Sequence, residues 1–133
     1  MKYKGNPLNI RYSVFNHWIG LSGEKNGFCE FESYEYGIRA GLVLLCRTYR
    51  HRGYITIEHI IKRFAPPSEN NTRKYINFVV SKSGIADKLF LSSIKEYAYI
   101  ISAMCYFESA TIITVEEILR IAKEFDIHLK KRY

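Results

Sequence analysis

The sequence predicts a mainly helical α+β fold, with several helices around one core and a small β-hairpin near the N-terminus. Three observations point there. Apolar residues recur at helical spacing from Tyr34 onward, Ser and Thr stand where helix N-caps are needed, and the short strand-like stretch follows glycine-containing turns. The 133 residues form one domain over 1–133, long enough to bury about two-thirds of the unfolded surface around a single core.

The elements follow in chain order. "YKGNPLNIRYS" carries a Gly-Asn-Pro turn signal and then a short extended piece, Asn9 to Tyr12. "HWIGLSGEKNGFCEFES" alternates glycine turns with the strand-like Phe28 to Phe31, which predicts the hairpin. Ser33 caps a helix with Glu35 in its first turn. That helix, about Tyr34 to Arg50, is apolar nearly all round from Ile38 to Cys46 and is therefore buried. Arg39 interrupts it, and a buried guanidinium needs a partner, for which Glu35 and Glu69 are available.

Thr56 opens a shorter helix with the face Ile57, Ile60, Ile61 and Phe64, which Pro66 and Pro67 stop. The polar loop "SENNT" leads into a helix from about Thr72 to Lys82 that Gly84 ends. Ser92 or Ser93 starts a central apolar helix, "EYAYIISAMCYFESA". Thr114 and Glu117 form a capping box for the last one, "VEEILRIAKEF".

The formal charge of +7 points to a polyanionic partner: nucleic acid, an anionic membrane or a bacterial cell wall. The dense basic cluster is the tail Lys130 to Arg132. No helix-turn-helix or zinc module supports specific nucleic-acid recognition. The longest apolar run falls short of the roughly 18 residues that span a bilayer, and no signal peptide is visible. Three cysteines cannot complete a disulfide framework; Cys46 and Cys105 sit in apolar helical runs, and no Cys/His spacing suggests a metal. No cofactor is expected.

The central helix ends on a bare Glu-Ser pair, Glu108 and Ser109. A carboxylate at a helix C-terminus meets the negative pole of the dipole, and Met104 and Phe107 would exclude water. Both effects raise its pKa, as a general acid for glycosidic cleavage requires near neutral pH. A Glu facing solvent at a helix end is the plain alternative.

The N-terminal part carries a resemblance, over about residues 5–85. Asn6, Pro7, Asn9, Ile10 and Arg11, then Trp18 and Gly20, then Gly37, Ile38, Arg39 and Ala40, then Ala65, Pro66, Glu69, Asn70, Thr72 and Tyr75 match the spaced motifs of a family of small phage virion-associated proteins, the structural protein P5-like family. The same order of motifs is distantly similar to the part of lysozyme-like glucosaminidases and lytic transglycosylases that follows their catalytic Glu. In those enzymes a hydrophobic helix ending in Glu-Ser comes first; here "YIISAMCYFES" comes near the end. The resemblance implies a circularly permuted lysozyme-like domain in which Glu108 returns to the Asn9–Tyr12 segment. Two positions depart from the pattern: Leu8 replaces a glycine, and Ala110 and Thr111 stand where a glycine usually follows the Glu.

That resemblance implies a peptidoglycan-cleaving glycosidase of the lytic transglycosylase or muramidase/glucosaminidase kind, with Glu108 catalytic. Asn9, Arg11, Trp18, Glu69, Thr72, Tyr75 and Ser109 would bind substrate. Arg11 and Arg39 could instead meet peptide-stem carboxylates or pair inside the fold, and Thr72, Tyr75 and Trp18 could serve capping and core packing. A single Glu as general acid and base suits a lytic transglycosylase; a hydrolase would need a second acid, for which Glu24, Glu30, Glu32, Glu35 and Glu69 are available, or substrate assistance from the N-acetyl group. The partners implied are peptidoglycan strands and other virion proteins, and the place of action is the cell wall, reached from the cytoplasm as a virion component. A non-catalytic virion or wall-binding protein on the same fold is the other reading.

Overall fold

The structure is a computed structural model and describes residues 1–68 and 71–129. It contains five α-helices and one two-stranded antiparallel hairpin. Strands β1 (Leu21–Lys25) and β2 (Phe28–Phe31) pair from Leu21↔Phe31 to Lys25↔Phe28, with an irregularity between Leu21 and Gly23. The N-terminal segment runs along the other edge of β2. Phe31 N–H donates to Lys4 O at 2.8 Å, Cys29 N–H to Ile10 O at 2.9 Å, and Tyr12 N–H to Gly27 O at 2.9 Å. Asn6 is fully buried and ties this layer together, its amide donating to Ile10 O (3.0 Å) and Cys29 O (2.8 Å) while accepting from Ile10 N–H (2.9 Å).

Helix α1 (Tyr34–Val43) begins at Ser33 as expected, but the Ser33 side chain makes no capping bond; Glu35 alone serves the dipole. The helix does not stay α to Arg50. From Leu44 to Tyr49 it widens into a π-helix, a form found mostly as short insertions at functional sites. Two glycines in α1 let the N-terminal segment lie directly on it. A Cβ on Gly37 would collide with the Gly5 carbonyl, and one on Gly41 with the Leu8 side chain. Arg39 has no ion-pair partner among the described residues. Its half-buried guanidinium lies over the Phe125 ring, 5.6 Å from the centroid, and burial lowers its pKa.

Helix α2 (Ile57–Phe64) is capped by the Thr56 side chain, which accepts from His59 N–H at 3.2 Å. Helix α3 (Thr72–Ser83) is capped by Asn71 and ends on Gly84 at φ +74°. Helix α4 (Ile94–Ser109) starts at Ser93 with a complete capping box to Glu96. It is the core helix: Tyr97, Ala98, Ile100, Ile101, Ala103, Met104 and Cys105 are buried, and it packs between α3 and α5 (Val115–Glu124). The capping box of α5 is half formed. Thr114 accepts from Glu117 N–H at 3.1 Å, but the Glu117 carboxylate accepts from the Thr114 hydroxyl (3.4 Å) and the Tyr34 hydroxyl (2.9 Å) rather than from the Thr114 backbone N–H. Among the described residues no helix is long and apolar enough to cross a membrane, and Cys29, Cys46 and Cys105 are buried free thiols. Burial pushes the Cys29 thiol up to about 11 and the Cys46 thiol up to about 12. Lys130 to Arg132 lie outside the described residues.

Candidate functional site

Glu108 occupies the last turn of α4, just before Ala110 turns the chain into the left-handed region at φ +53°. The apolar stretch that holds α4 in the core carries this carboxyl with it, and Glu108 is half-buried. The segment facing it is Asn9 to Arg11. Asn9 is not extended, as its place in "NPLNIRYS" suggested; its φ is +51°. Asn and Asp tolerate that conformation better than other residues with a Cβ. The turn aims the Asn9 amide at the helix end, where Nδ2 donates to Glu108 O at 3.0 Å and to Glu108 Oε1 at 3.2 Å.

Loss of solvent raises the pKa of Glu108 and outweighs three opposing influences: the Tyr75 hydroxyl, the Asn9 amide and the positive charge of Arg11. Tyr75 is buried to 1% exposure, its ring stacked on Phe107 with centroids 4.0 Å apart. Its hydroxyl is near enough to Glu108 to favour the ionised carboxylate, yet makes no well-aligned hydrogen bond and stands as a buried polar atom without a partner. Asn9 Oδ1 and Trp18 Nε1 are buried without partners as well. Buried polar atoms ordinarily find hydrogen bonds; here three that lack them sit on or just behind one wall.

That wall belongs to a cavity of about 420 Å³. Asn9, Ile10, Arg11, Asn16 and Trp18 of the N-terminal segment line it, with Ala65 and Glu108. The π-helical segment, the turn after it and the end of α2 add Leu44, Thr48, Tyr49, Arg52, Arg63 and Phe64. The wider π turn accounts for Leu44, Thr48 and Tyr49 sharing one face, since residues five apart line up in it as residues four apart do in an α-helix. Burial pushes the Tyr49 hydroxyl up to about 12.

Of the residues singled out in the sequence, Asn9, Arg11, Trp18 and Glu108 meet on this cavity, and Tyr75 stands behind Glu108. Arg11 also lies over the Phe28 ring, 5.0 Å from its centroid. Thr72 and Ser109 play structural parts. The Thr72 hydroxyl donates to Ala65 O at 2.6 Å and holds the loop before α3 closed. The Ser109 hydroxyl turns away from the cavity to Pro7 O (2.7 Å) and Cys105 O (3.1 Å), fastening the N-terminal segment to α4. Glu69 lies outside the described residues. None of Glu24, Glu30, Glu32 and Glu35 lines the cavity; Glu24, for one, is engaged in the hairpin turn, accepting from Gly27 N–H at 2.6 Å. Among the described residues no group of three or more His, Cys, Asp or Glu is placed to hold a metal ion.

Sequence reasoning missed Arg52, Arg63, Thr48 and Tyr49. Arg63 was legible only as a solvent-side residue of α2, one step from the apolar face. Arg52 precedes Gly53, whose φ of +87° ends the helix, and a basic residue there reads as an ordinary dipole partner.

No family model matches the chain. It is 45% identical over 112 residues to Protein P5 of Pseudoalteromonas phage PM2, a match that spans 80% of this chain and 68% of that protein. At that identity and coverage, the chain belongs to the family of the phage PM2 Protein P5.

Proposed function

We propose that the protein is a peptidoglycan-cleaving glycosidase acting at the cell wall as part of a phage particle, with Glu108 as its general acid and then its base. The observation that carries this reading is a carboxyl with a raised pKa lining a cavity, held by Asn9 from a segment at the opposite end of the chain. The order of motifs supports a lysozyme-like ancestry with circular permutation. The relationship to a phage protein supports delivery by a virion.

In the proposed reaction, protonated Glu108 gives its proton to the leaving glycosidic oxygen as the C1–O bond breaks. The resulting carboxylate takes the proton of the sugar's own 6-hydroxyl, whose oxygen closes on C1 and leaves a 1,6-anhydro end. The positive charge of Arg11 and the Asn9 amide stabilise the carboxylate between the two steps. This course needs a single carboxylate, whereas an inverting or retaining hydrolase uses two acids; Glu108 lines the cavity.

A second reading has its own support. The bonds from Asn9 to Glu108 and from Ser109 to Pro7 also suit a carboxyl kept for architecture, in a virion or wall-binding protein without catalysis. Digestion of purified sacculi by the wild type and by Glu108→Gln, with fragments read by mass spectrometry, separates the two. Anhydro-ended fragments that vanish in the variant support the transglycosylase; reducing ends indicate a hydrolase. Binding without release by either protein leaves the structural reading.

A further inference from the structure

The described lining of the cavity is rich in positive charge. Three guanidiniums line it, those of Arg11, Arg52 and Arg63, against one carboxyl among the described residues. Only Arg11 bears on the ionisation of Glu108. Arg52 and Arg63 line the cavity as well. Both lie near enough to the Tyr49 hydroxyl to oppose the rise in its pKa, and neither forms an ion pair among the described residues. They come from different elements, Arg52 from the turn after the π-helical segment and Arg63 from the last turn of α2. Two cations converging in this way repel each other unless an anion sits between them.

We infer that Arg52 and Arg63 form a carboxylate-binding subsite that selects glycan strands whose muramoyl residues carry a free lactyl carboxylate, as they do where the stem peptide has been removed, over neutral N-acetylglucosamine polymers. This deepens the proposed function and rests on its placing a glycan in the cavity. The chemistry follows from the side chains. A guanidinium is always charged, is weakly hydrated and presents a planar fork that a carboxylate meets with two parallel hydrogen bonds. A neutral sugar would leave both charges to be desolvated without return when it filled the cavity, so the wall repels one polymer as it attracts the other. The apolar surfaces of Leu44 and Phe64 beside the arginines lower the local dielectric, which strengthens both effects.

The test is equilibrium binding of two tetrasaccharides, one of N-acetylglucosamine alone and one of alternating N-acetylglucosamine and N-acetylmuramic acid with free lactyl groups. It is run on Glu108→Gln, so that no turnover occurs, and on the same protein carrying Arg52→Gln and Arg63→Gln. The acidic tetramer is expected to bind about tenfold or more tighter than the neutral one, as a charge-assisted pair supplies. That preference should shrink as salt rises and disappear in the double arginine variant, whose affinity for the neutral tetramer is retained or rises as the desolvation cost is removed, and so reports an intact cavity. Equal binding of the two tetramers, binding of neither, or a preference that survives loss of both arginines would overturn the inference. Sacculus cleavage by the wild type is a separate readout. Cleavage without preference removes the subsite and leaves the enzyme, whereas preference without cleavage removes the enzyme and leaves the subsite.

Discussion

Asn9 and Glu108 stand 99 positions apart in the chain and are joined twice, the Asn9 amide donating to both the backbone carbonyl and a carboxylate oxygen of Glu108. The first bond occupies a carbonyl that the helix end leaves without an internal donor. The second orients the carboxyl. One side chain therefore finishes a helix and aims its functional group.

The cost of holding that carboxyl ionised can be read from stability. Glu108 has a folded pKa above its ordinary value of 4.5, because burial disfavours the charge. The native state therefore binds the proton more readily than the unfolded chain, and the penalty is fully present at pH above the folded value. It is relieved as pH falls through that value and is gone below about 4.5. Glu108→Gln keeps the shape and the acceptor for Asn9 without the charge. It is expected to melt higher than the wild type at pH 7 to 8 and level with it near pH 4, by calorimetry across that range. On the proposed function, any glycan cleavage by the wild type should fall by about 10²- to 10⁴-fold in this variant.

Asn9 does two jobs that different substitutions separate. Asn9→Gly keeps the left-handed backbone and loses the hydrogen bonds, which should cost about 1 kcal/mol. Asn9→Ala also bears the strain of φ +51° and should cost about 2 to 3 kcal/mol. Denaturant titration measures both. Equal losses would mean that the backbone conformation carries none of the effect.

The Tyr75 hydroxyl favours the ionised form of Glu108. Tyr75→Phe should therefore raise the Glu108 pKa further. A general acid must be protonated, so activity falls as pH rises through that pKa, and the falling limb of the profile should move to higher pH. Because the hydroxyl is buried without a well-aligned partner, its removal should leave stability unchanged or slightly higher. A limb that moves to lower pH would contradict the placement of this hydroxyl beside the acid.

Two backbone positions near the site respond in opposite directions to a single methyl group. Ala110 takes the left-handed conformation that ends α4, so Ala110→Gly should stabilise by about 1 kcal/mol. Gly37→Ala drives a Cβ into the Gly5 carbonyl, an overpacking that should cost about 1 to 3 kcal/mol. Hydrogen exchange should show the second loss first along residues 3–12, which peel from α1 before the helices open.

Helices were legible where a cap residue and an apolar period agree: Thr56, Ser93 and Thr114 each accept the expected N–H. Glu108 was legible as an anomaly, a charge at the end of a stretch too apolar for the surface. The π-helical widening from Leu44 to Tyr49 was not legible, because a run that is apolar all round looks the same whether its bonds close after four residues or five. With it went Thr48 and Tyr49. Arg52 and Arg63 were hidden for another reason. Both do face solvent, as periodicity says, but that solvent fills a cavity, and the convergence of two helix ends on one space is a tertiary fact. The left-handed turn at Asn9 is set by what it reaches, the end of a helix most of the chain away.

The joining of Asn9 to Glu108 also sets a clock on biosynthesis. Asn9 leaves the ribosome early and Glu108 follows 99 residues later, an interval of roughly 5 to 20 seconds at about 5–20 residues per second. Through that interval the N-terminal layer lacks the helix it is pinned to, and the acid does not yet exist. The nascent chain lacks the Asn9–Glu108 pair until α4 arrives, so on the proposed function a host would meet the activity only in copies made at least that far.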